Sequence, residues 1–320
     1  LGIGTIIAKY KAMQAALKPT QHSSGRILER NTSLPKGLNL YNVLILMRLE
    51  AYMPICFFCT MAGLQIAGGA HSLQSLLIIG LANTFVMAAA CTFNDAEDAT
   101  EDMLVRSTRN IIALKRISKS TGYILAGGFG IIGISLSIIA GVTVFMVISA
   151  FIVTTFLYSW RSVRMKAMPF WDLLTHAIMG GLMFLSSAWS SGILLERHVM
   201  QICLIFSLGI VLALLAHQLY DYKNDLTTNV RTSTIVLGKR KTYYITICLY
   251  ILITYLLSEE CLSGFFPFVL ILSFCAVAGS MIIMSIILYP KQAFYVSKRM
   301  IPWAVNTGAI AAIFMWYISK

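Results

Sequence analysis

Residues 73–102 read LQSLLIIGLANTFVMAAACTFNDAEDATED, and this stretch decides the fold. Its first 21 residues, Leu73 to Phe93, carry no charge. At about 1.5 Å rise per residue such a run is long enough, as a helix, to cross a hydrocarbon core of about 30 Å. The last nine residues, Asn94 to Asp102, hold five carboxylates. Carboxylates beside hydrocarbon are costly, so an acidic cluster at the end of a membrane-length run reads first as a functional site. The pattern then recurs. A second apolar run, over 198–219, leads into Tyr220-Asp221-Tyr222-Lys223-Asn224-Asp225. His217, Asp221 and Asp225 stand at i, i+4, i+8, as do Asn94, Asp98 and Asp102, at a constant offset of 123 residues. Seven of the 13 acidic residues fall in these two clusters, which leaves few for the rest of the chain.

Composition agrees with that reading. The chain of 320 residues is 58% hydrophobic and only 12% charged, far from a soluble domain. Nine apolar runs are long enough to span: roughly 41–68, 73–93, 121–141, 143–160, 170–195, 198–219, 243–263, 265–289 and 300–319. The expected architecture is an all-α membrane protein of nine transmembrane helices over 41–320, preceded by a basic arm over 1–40. The repeated motif divides it into two pseudo-repeated four-helix halves plus one final helix.

Charge sets the orientation. Lys and Arg number six in 1–41, five in 94–120, three in 161–169, five in 220–242 and three in 290–299, together 22 of the 25. By the positive-inside rule the N terminus and both acidic clusters are cytoplasmic, and the C terminus lies on the opposite face. The net charge of +12 is thus dealt out among inner loops, where topology and anionic lipid account for it; no nucleic-acid partner is implied. Seven cysteines in mainly apolar surroundings describe no disulfide framework, and Cys56-x-x-Cys59 within the first run reads as packing. Glycines such as Gly127, Gly128, Gly130, Gly180 and Gly181 read as sites of close helix approach.

Residues four and eight apart share nearly one helix face. Each cluster therefore forms an oxygen ladder at a cytoplasmic helix end. If the two helices meet, four carboxylates converge, and they require cations or bound protons. Mg²⁺ fits, since it takes oxygen ligands and commonly bridges one or two carboxylates to phosphate. Phosphate is suggested by the surrounding bases: Arg106, Arg109, Lys115 and Arg116 after the first cluster, Arg161, Arg164 and Lys166 in the next inner loop, Lys223, Arg231, Lys239 and Arg240 with the second. A diphosphate at the membrane surface above apolar helices suggests an isoprenoid tail. Asp95, Glu97 and Glu101 lie off the main face and read as solvated charge. Arg48 reads as snorkelling to the interface, Asp172 as a helix-end charge, and His176 as packing or helix-to-helix bonding.

The same residues resemble the intramembrane prenyltransferases of the UbiA superfamily. Asn94-Asp95-x-x-Asp98-x-x-x-Asp102 matches that family's first motif, and Asp221-x-x-x-Asp225 its second. Arg231-Thr232-Ser233-Thr234 with Leu237-Gly238 is similar to the usual continuation, and Tyr158-Ser159 with Arg161 to Lys166 to the stretch between spans four and five. The loop from Arg109 to Ser118 lacks the proline and glycine that many members carry there. The resemblance implies that Asp98, Asp102, Asp221 and Asp225 form the catalytic set and, with Asn94, hold Mg²⁺. It also implies that Arg106, Arg109, Lys115, Tyr158, Arg161, Arg164, Lys166, His217, Lys223 and Arg231 bind the diphosphate. The implied reaction is ionisation of an isoprenoid diphosphate and transfer of the prenyl group to a lipophilic acceptor. Aromatic faces, with Phe93, Tyr158, Trp160 and Tyr220 the nearest, would steady the cation. One alternative is a membrane terpene cyclase, in which the substrate's own double bond captures the cation and no acceptor is needed. A divalent-cation transporter is a third reading, but its carboxylates belong near the bilayer midplane.

Overall fold

The computed structural model describes residues 37–66, 72–105, 110–192 and 196–264, and among them every regular element is a helix. In chain order these are α1 (Leu40–Met47), α2 (Leu49–Ile66), α3 (Leu73–Glu97), α4 (Ala99–Leu104), α5 (Lys119–Ala140) and α6 (Val142–Ser159). There follow α7 (Trp171–Ala188), α8 (Arg197–Thr227), α9 (Ser233–Leu237) and α10 (Lys239–Leu262). Six stretches are long and apolar enough to cross a membrane: α2, α3, α5, α6, the Arg197–Leu219 part of α8, and α10. The expected spans over 265–289 and 300–319, and the arm up to residue 36, lie outside the described residues.

Local chemistry sets the helix starts. Ser72, Ser118 and Thr232 occupy N-cap positions, each accepting from the amide three residues on: Ser75, Thr121 and Ile235. Such caps satisfy amides that have no intrahelical partner. The third and fourth apolar runs part at the single residue Gly141, whose φ of +127° ends α5 and admits α6 directly.

The first apolar run differs from expectation. It is two helices, broken at Arg48, which caps α1 in the left-handed region at φ +49°. The reason is electrostatic: the Arg48 guanidinium does not snorkel outward but forms an ion pair with Asp95 of α3, whose side chain is 4% exposed. A buried carboxylate needs such a partner. The fifth run also ends early, because α7 gives way at Ala188 to a 3-10 turn over Trp189–Ser191. Asp172 and His176 near its start leave α7 outside the six apolar stretches.

The core joins both parts of the chain. Cys56, Ile79, Val86, Ile148, Phe151 and Met183 bury one apolar cluster between α2, α3, α6 and α7. Cys56 and Cys59 are reduced and almost wholly buried there, which is the packing role expected of them. Within this cluster Asn83 of α3 is buried and ties three helices, its Nδ2 donating to Thr60 Oγ1 at 3.0 Å and Ser186 Oγ at 2.9 Å. Further out, α3 packs between α2 and α5, and α8 packs between α7 and α10. The acidic clusters therefore end helices in corresponding positions.

Close approach is concentrated at particular glycines. A Cβ at Gly63 would lie 2.1 Å from Ser187 Oγ and 2.8 Å from the Phe184 carbonyl, so α2 and α7 meet backbone to backbone. Gly180 is similarly crowded by Phe206 and Ile210. Gly127 and Gly128 meet nothing within 4 Å among the described residues, contrary to the packing role expected of them. Gly63→Leu is expected to destabilise the protein by about 3 kcal/mol or more through overpacking, read as a lower melting temperature in detergent. Gly127→Leu, set against open space, is the matched control.

Candidate active site

The first cluster begins as helix and keeps its register. Asp98 caps α3, yet Asp98 N still bonds the Asn94 carbonyl at 2.9 Å and Asp102 N the Asp98 carbonyl at 2.9 Å. The ladder Asn94, Asp98, Asp102 thus runs from α3 into α4 as the spacing predicts.

What surrounds it comes from the loop after α6. Arg164 takes a left-handed backbone at φ +50° and starts a 3-10 turn over Met165–Ala167. That turn sends Lys166 inward, where Nζ donates to Asn94 Oδ1 at 2.9 Å and pairs with Asp98 Oδ1. Arg164 bridges Glu101 at 3.1 Å and Asp98 at 3.4 Å, and Arg161 joins Glu101 at 2.8 Å. Ser159 Oγ donates to Asn94 Oδ1 at 3.0 Å. The acids read as solvated are buried or partnered. Besides the Asp95–Arg48 pair, Glu97 accepts from the Tyr123 hydroxyl at 2.6 Å and the Arg161 amide at 3.1 Å. Their carboxylates orient the loops that carry the bases.

Asp102 faces Asn110, whose Nδ2 donates to Asp102 Oδ2 at 2.8 Å and to the Asp95 carbonyl at 2.7 Å. Asn110 Oδ1 in turn accepts from the amides of Ile112 and Ala113, fixing the loop in place of the missing proline and glycine. Burial pushes the Asp102 carboxyl up to about 6; the Asn110 hydrogen bond opposes this, and the charges of Asp98 and Asp95 add to it.

The second cluster lies on the extended end of α8. His217 Nε2 and Asp221 Oδ2 are 3.1 Å apart, and Asp225 Oδ2 accepts from Thr232 Oγ1 at 3.3 Å. Burial pushes Asp225 up to about 7, with the Asp221 charge the next cause and the Asp98 charge a further one, while Thr232 and Lys166 pull the other way. The two clusters therefore face each other closely enough for Asp98 and Lys166 to act on Asp225. Tyr158 stands within reach of the charges of both Asp98 and Asp225, its ring packed edge-on against His176 at 4.5 Å.

The structure thus brings together Asn94, Asp98, Asp102, Tyr158, Arg161, Arg164, Lys166 and Asp225, with His217 and Asp221 alongside Asp225. Lys223 and Arg231 are exposed at the end of α8 and in the turn after it, and Lys115 is exposed at its loop turn with φ +56°. Arg106 and Arg109 lie outside the described residues. No three His, Cys, Asp or Glu side chains among the described residues form a closed metal cage. The oxygens are instead spread along the two ladders. Of the aromatic residues expected to steady a cation, Phe93 and Trp160 pack with Phe156 and Tyr123 in a separate ring cluster, where Phe156 and Trp160 are exposed. Tyr158 lies apart from that ring cluster, against His176.

One buried network escaped the sequence reading. Asp172, 0% exposed, accepts from Ser233 N at 2.8 Å, Gln218 Nε2 at 2.7 Å and Leu173 N at 2.8 Å, and pairs with Ser233 Oγ. Gln218 Oε1 then accepts from Thr234 N at 3.2 Å and Thr234 Oγ1 at 2.9 Å. Asp172 is therefore not simply a helix-end charge. It locks the starts of α7 and α9 to α8, and so holds Thr232 against Asp225. The signal available in the sequence was Gln218, a polar residue one position beyond His217 in an apolar run.

A family model described as the UbiA prenyltransferase family matches residues 56–318. No curated protein matches the chain in sequence. Its fold is similar to that of a UbiA homologue from Archaeoglobus fulgidus bound to GPP and Mg²⁺, at 16% identity and a TM-score of 0.60, over 85% of this chain and 99% of that one. A UbiA homologue from Aeropyrum pernix K1 in its apo form gives 13% identity and a TM-score of 0.68, over 82% and 98%. A structure concerned with digeranylgeranylglyceryl phosphate synthase in membranes gives 18% and 0.58, over 85% and 99%.

Proposed function

The chain belongs to the UbiA prenyltransferase family, and on that premise we propose that it carries out Mg²⁺-dependent transfer of a prenyl group from a polyprenyl diphosphate to a lipophilic acceptor within the membrane. It is an integral, multi-pass membrane protein. In this reading it has nine spans over 41–320 as two four-helix halves and a last helix, a basic arm over 1–40, and its N terminus and site on the cytoplasmic face. The C terminus is then on the far side. The observation that carries the reading is the first ladder, where Asn94 and Asp98 hold the Lys166 ammonium with Arg164 beside it; the charges of Asp98 and Lys166 also reach Asp225. The Archaeoglobus fulgidus homologue, which binds GPP or DMAPP with Mg²⁺, supports the choice of donor and metal.

The residues fit the metal. Asn94, Asp98, Asp102, Asp221 and Asp225 offer hard oxygens, and burial, with neighbouring carboxylates, raises Asp102 and Asp225, so that a bound cation would favour their charged forms. These five would hold Mg²⁺. When bound, the ion neutralises charge on the departing diphosphate as the allylic C–O bond breaks. Lys166, Arg164 and Arg161 stand beside the ladder to grip phosphate oxygens. His217 orients Asp221. Tyr158, within reach of the charges of Asp98 and Asp225, would present its ring to shield a carbocation.

The test is incubation of the purified full chain with geranyl, farnesyl and geranylgeranyl diphosphates, with and without Mg²⁺, followed by mass spectrometry. Intact diphosphate until an acceptor is supplied is the expected result. Cyclised hydrocarbon without acceptor would replace transfer by cyclisation, and a thermal shift with Mg²⁺ alone as large as with Mg²⁺ plus diphosphate would mark a cation transporter.

The acid pair also predicts a pH dependence. The folded pKa values, about 6 for Asp102 and about 7 for Asp225, lie above the usual 3.8. Their contribution to stability is fully present below that usual value and is lost as pH rises through the folded values. Melting temperature of the ligand-free protein should therefore fall between about pH 4 and about pH 7 and level off above that. Adding Mg²⁺ with geranyl diphosphate should flatten that decline, because both carboxylates are then charged and compensated.

A further inference from the structure

Lys166 occupies the point where the oxygens of the first motif converge. Its Nζ lies 2.9 Å from Asn94 Oδ1 and in an ion pair with Asp98 Oδ1, and the residue is 8% exposed. The turn that delivers it is fixed: Arg164 N bonds the Trp160 carbonyl at 2.7 Å, and Met168 N the Met165 carbonyl at 3.0 Å. Its charge also acts on Asp102 and Asp225. One ammonium is therefore paired with Asp98 and its charge reaches carboxylates of both ladders.

A divalent ion would need the same Asn94 and Asp98 oxygens at about 2.0–2.1 Å. The ammonium already on Asn94 Oδ1 and Asp98 Oδ1 competes for those oxygens and opposes a nearby cation by like charge. Arg164 does not present the same obstacle, because Glu101 anchors it at 3.1 Å and its contact with Asp98 is the longer one, 3.4 Å. Lys166 has a flexible four-carbon stem, and Asp98 is its one ion-pair partner among the described residues.

Building on the site assignment made above, we infer that Lys166 is an internal stand-in for the metal, leaving Asn94 and Asp98 only when a diphosphate offers its oxygens. Metal and diphosphate then bind as a coupled pair. The ammonium moves from carboxylate to phosphate, and the vacated oxygens become free to ligate. By linkage each ligand tightens the other by the same factor. The device keeps the acidic ladder from filling with metal when no donor substrate is present.

The experiment measures Mn²⁺ affinity of the full chain in detergent by electron paramagnetic resonance, without any diphosphate. Lys166→Met is expected to bind Mn²⁺ roughly tenfold tighter than the parent or more. Lys166→Arg, which keeps the charge, should stay near the parent, and Lys166→Gln should follow Lys166→Met. Adding Asp98→Asn to Lys166→Met should abolish the gain. A purely structural lysine would weaken binding on removal, so equal or weaker Mn²⁺ binding in both neutral variants overturns the inference. The site itself is checked separately: if Asp98→Asn alone leaves Mn²⁺ binding with geranyl diphosphate unchanged, the assignment of the ladder falls, whatever Lys166 does.

Discussion

An Asp98→Asn, Asp225→Asn double variant is expected to consume prenyl diphosphate at least about 10³-fold more slowly than the parent, since each lost site charge is worth roughly 10²–10³ in such catalysis. These two residues sit on opposite ladders and act on each other's charge, so their removal empties both sides of the candidate metal site. The change is nearly isosteric. Asp225 is already held up near 7 by burial and by Asp221, so a neutral amide there relieves unfavourable charge. The melting temperature of the Asp225→Asn single variant should therefore hold or rise while its activity falls, whereas the double variant, which also unpairs Lys166 and Arg164 from Asp98, should melt lower. In the single variant that opposite movement separates a functional carboxylate from a structural one. Turnover at the parental rate would place the chemistry elsewhere.

Asp172→Ala should produce the second large effect, on folding. The parent carboxylate, wholly buried, takes up the Ser233 amide and hydroxyl and the Gln218 amide. Alanine leaves those donors without an acceptor, at a cost of about 3–5 kcal/mol for a broken buried charged network. A thermal melt in detergent should show a large drop in midpoint or no folded fraction. Asp172→Asn keeps the shape and one acceptor oxygen, so it should fold and lose less. Because this network holds Thr232 against Asp225, the asparagine variant should also raise KM for the prenyl diphosphate. An unchanged melt for the alanine variant would show that α9 is held by other contacts.

The contrast between these residues explains what could be read from the chain alone. Asp98 and Asp225 were legible because spacing along a helix is a one-dimensional property, and i, i+4, i+8 survives folding unchanged. Cap residues Ser72, Ser118 and Thr232 act on amides three positions away, so they too belong to local sequence. Asp95 and Glu97 were not legible. Whether a carboxylate off the main face meets water or a cation depends on which loop lies over it, and Arg48 lies 47 positions from its partner. The same holds for Phe93 and Trp160. Their place near a cytoplasmic helix end was clear, but the side of the helix they occupy was set by packing against Phe156 and Tyr123. Asp172 was visible as a charge, and its four donors were not.

Sequence by itself determined that this is a helical membrane protein with two matched acidic helix ends, because hydropathy, loop charge and helical period are all read along one chain. Only the tertiary structure decided which cations occupy those acids, that α1 and α2 part at Arg48, and that Asp225 comes to face Lys166. The physical reason is range. Apolar burial and backbone hydrogen bonding act on every residue of a run alike. A buried charge is settled by the few atoms that packing of distant segments brings within hydrogen-bonding distance.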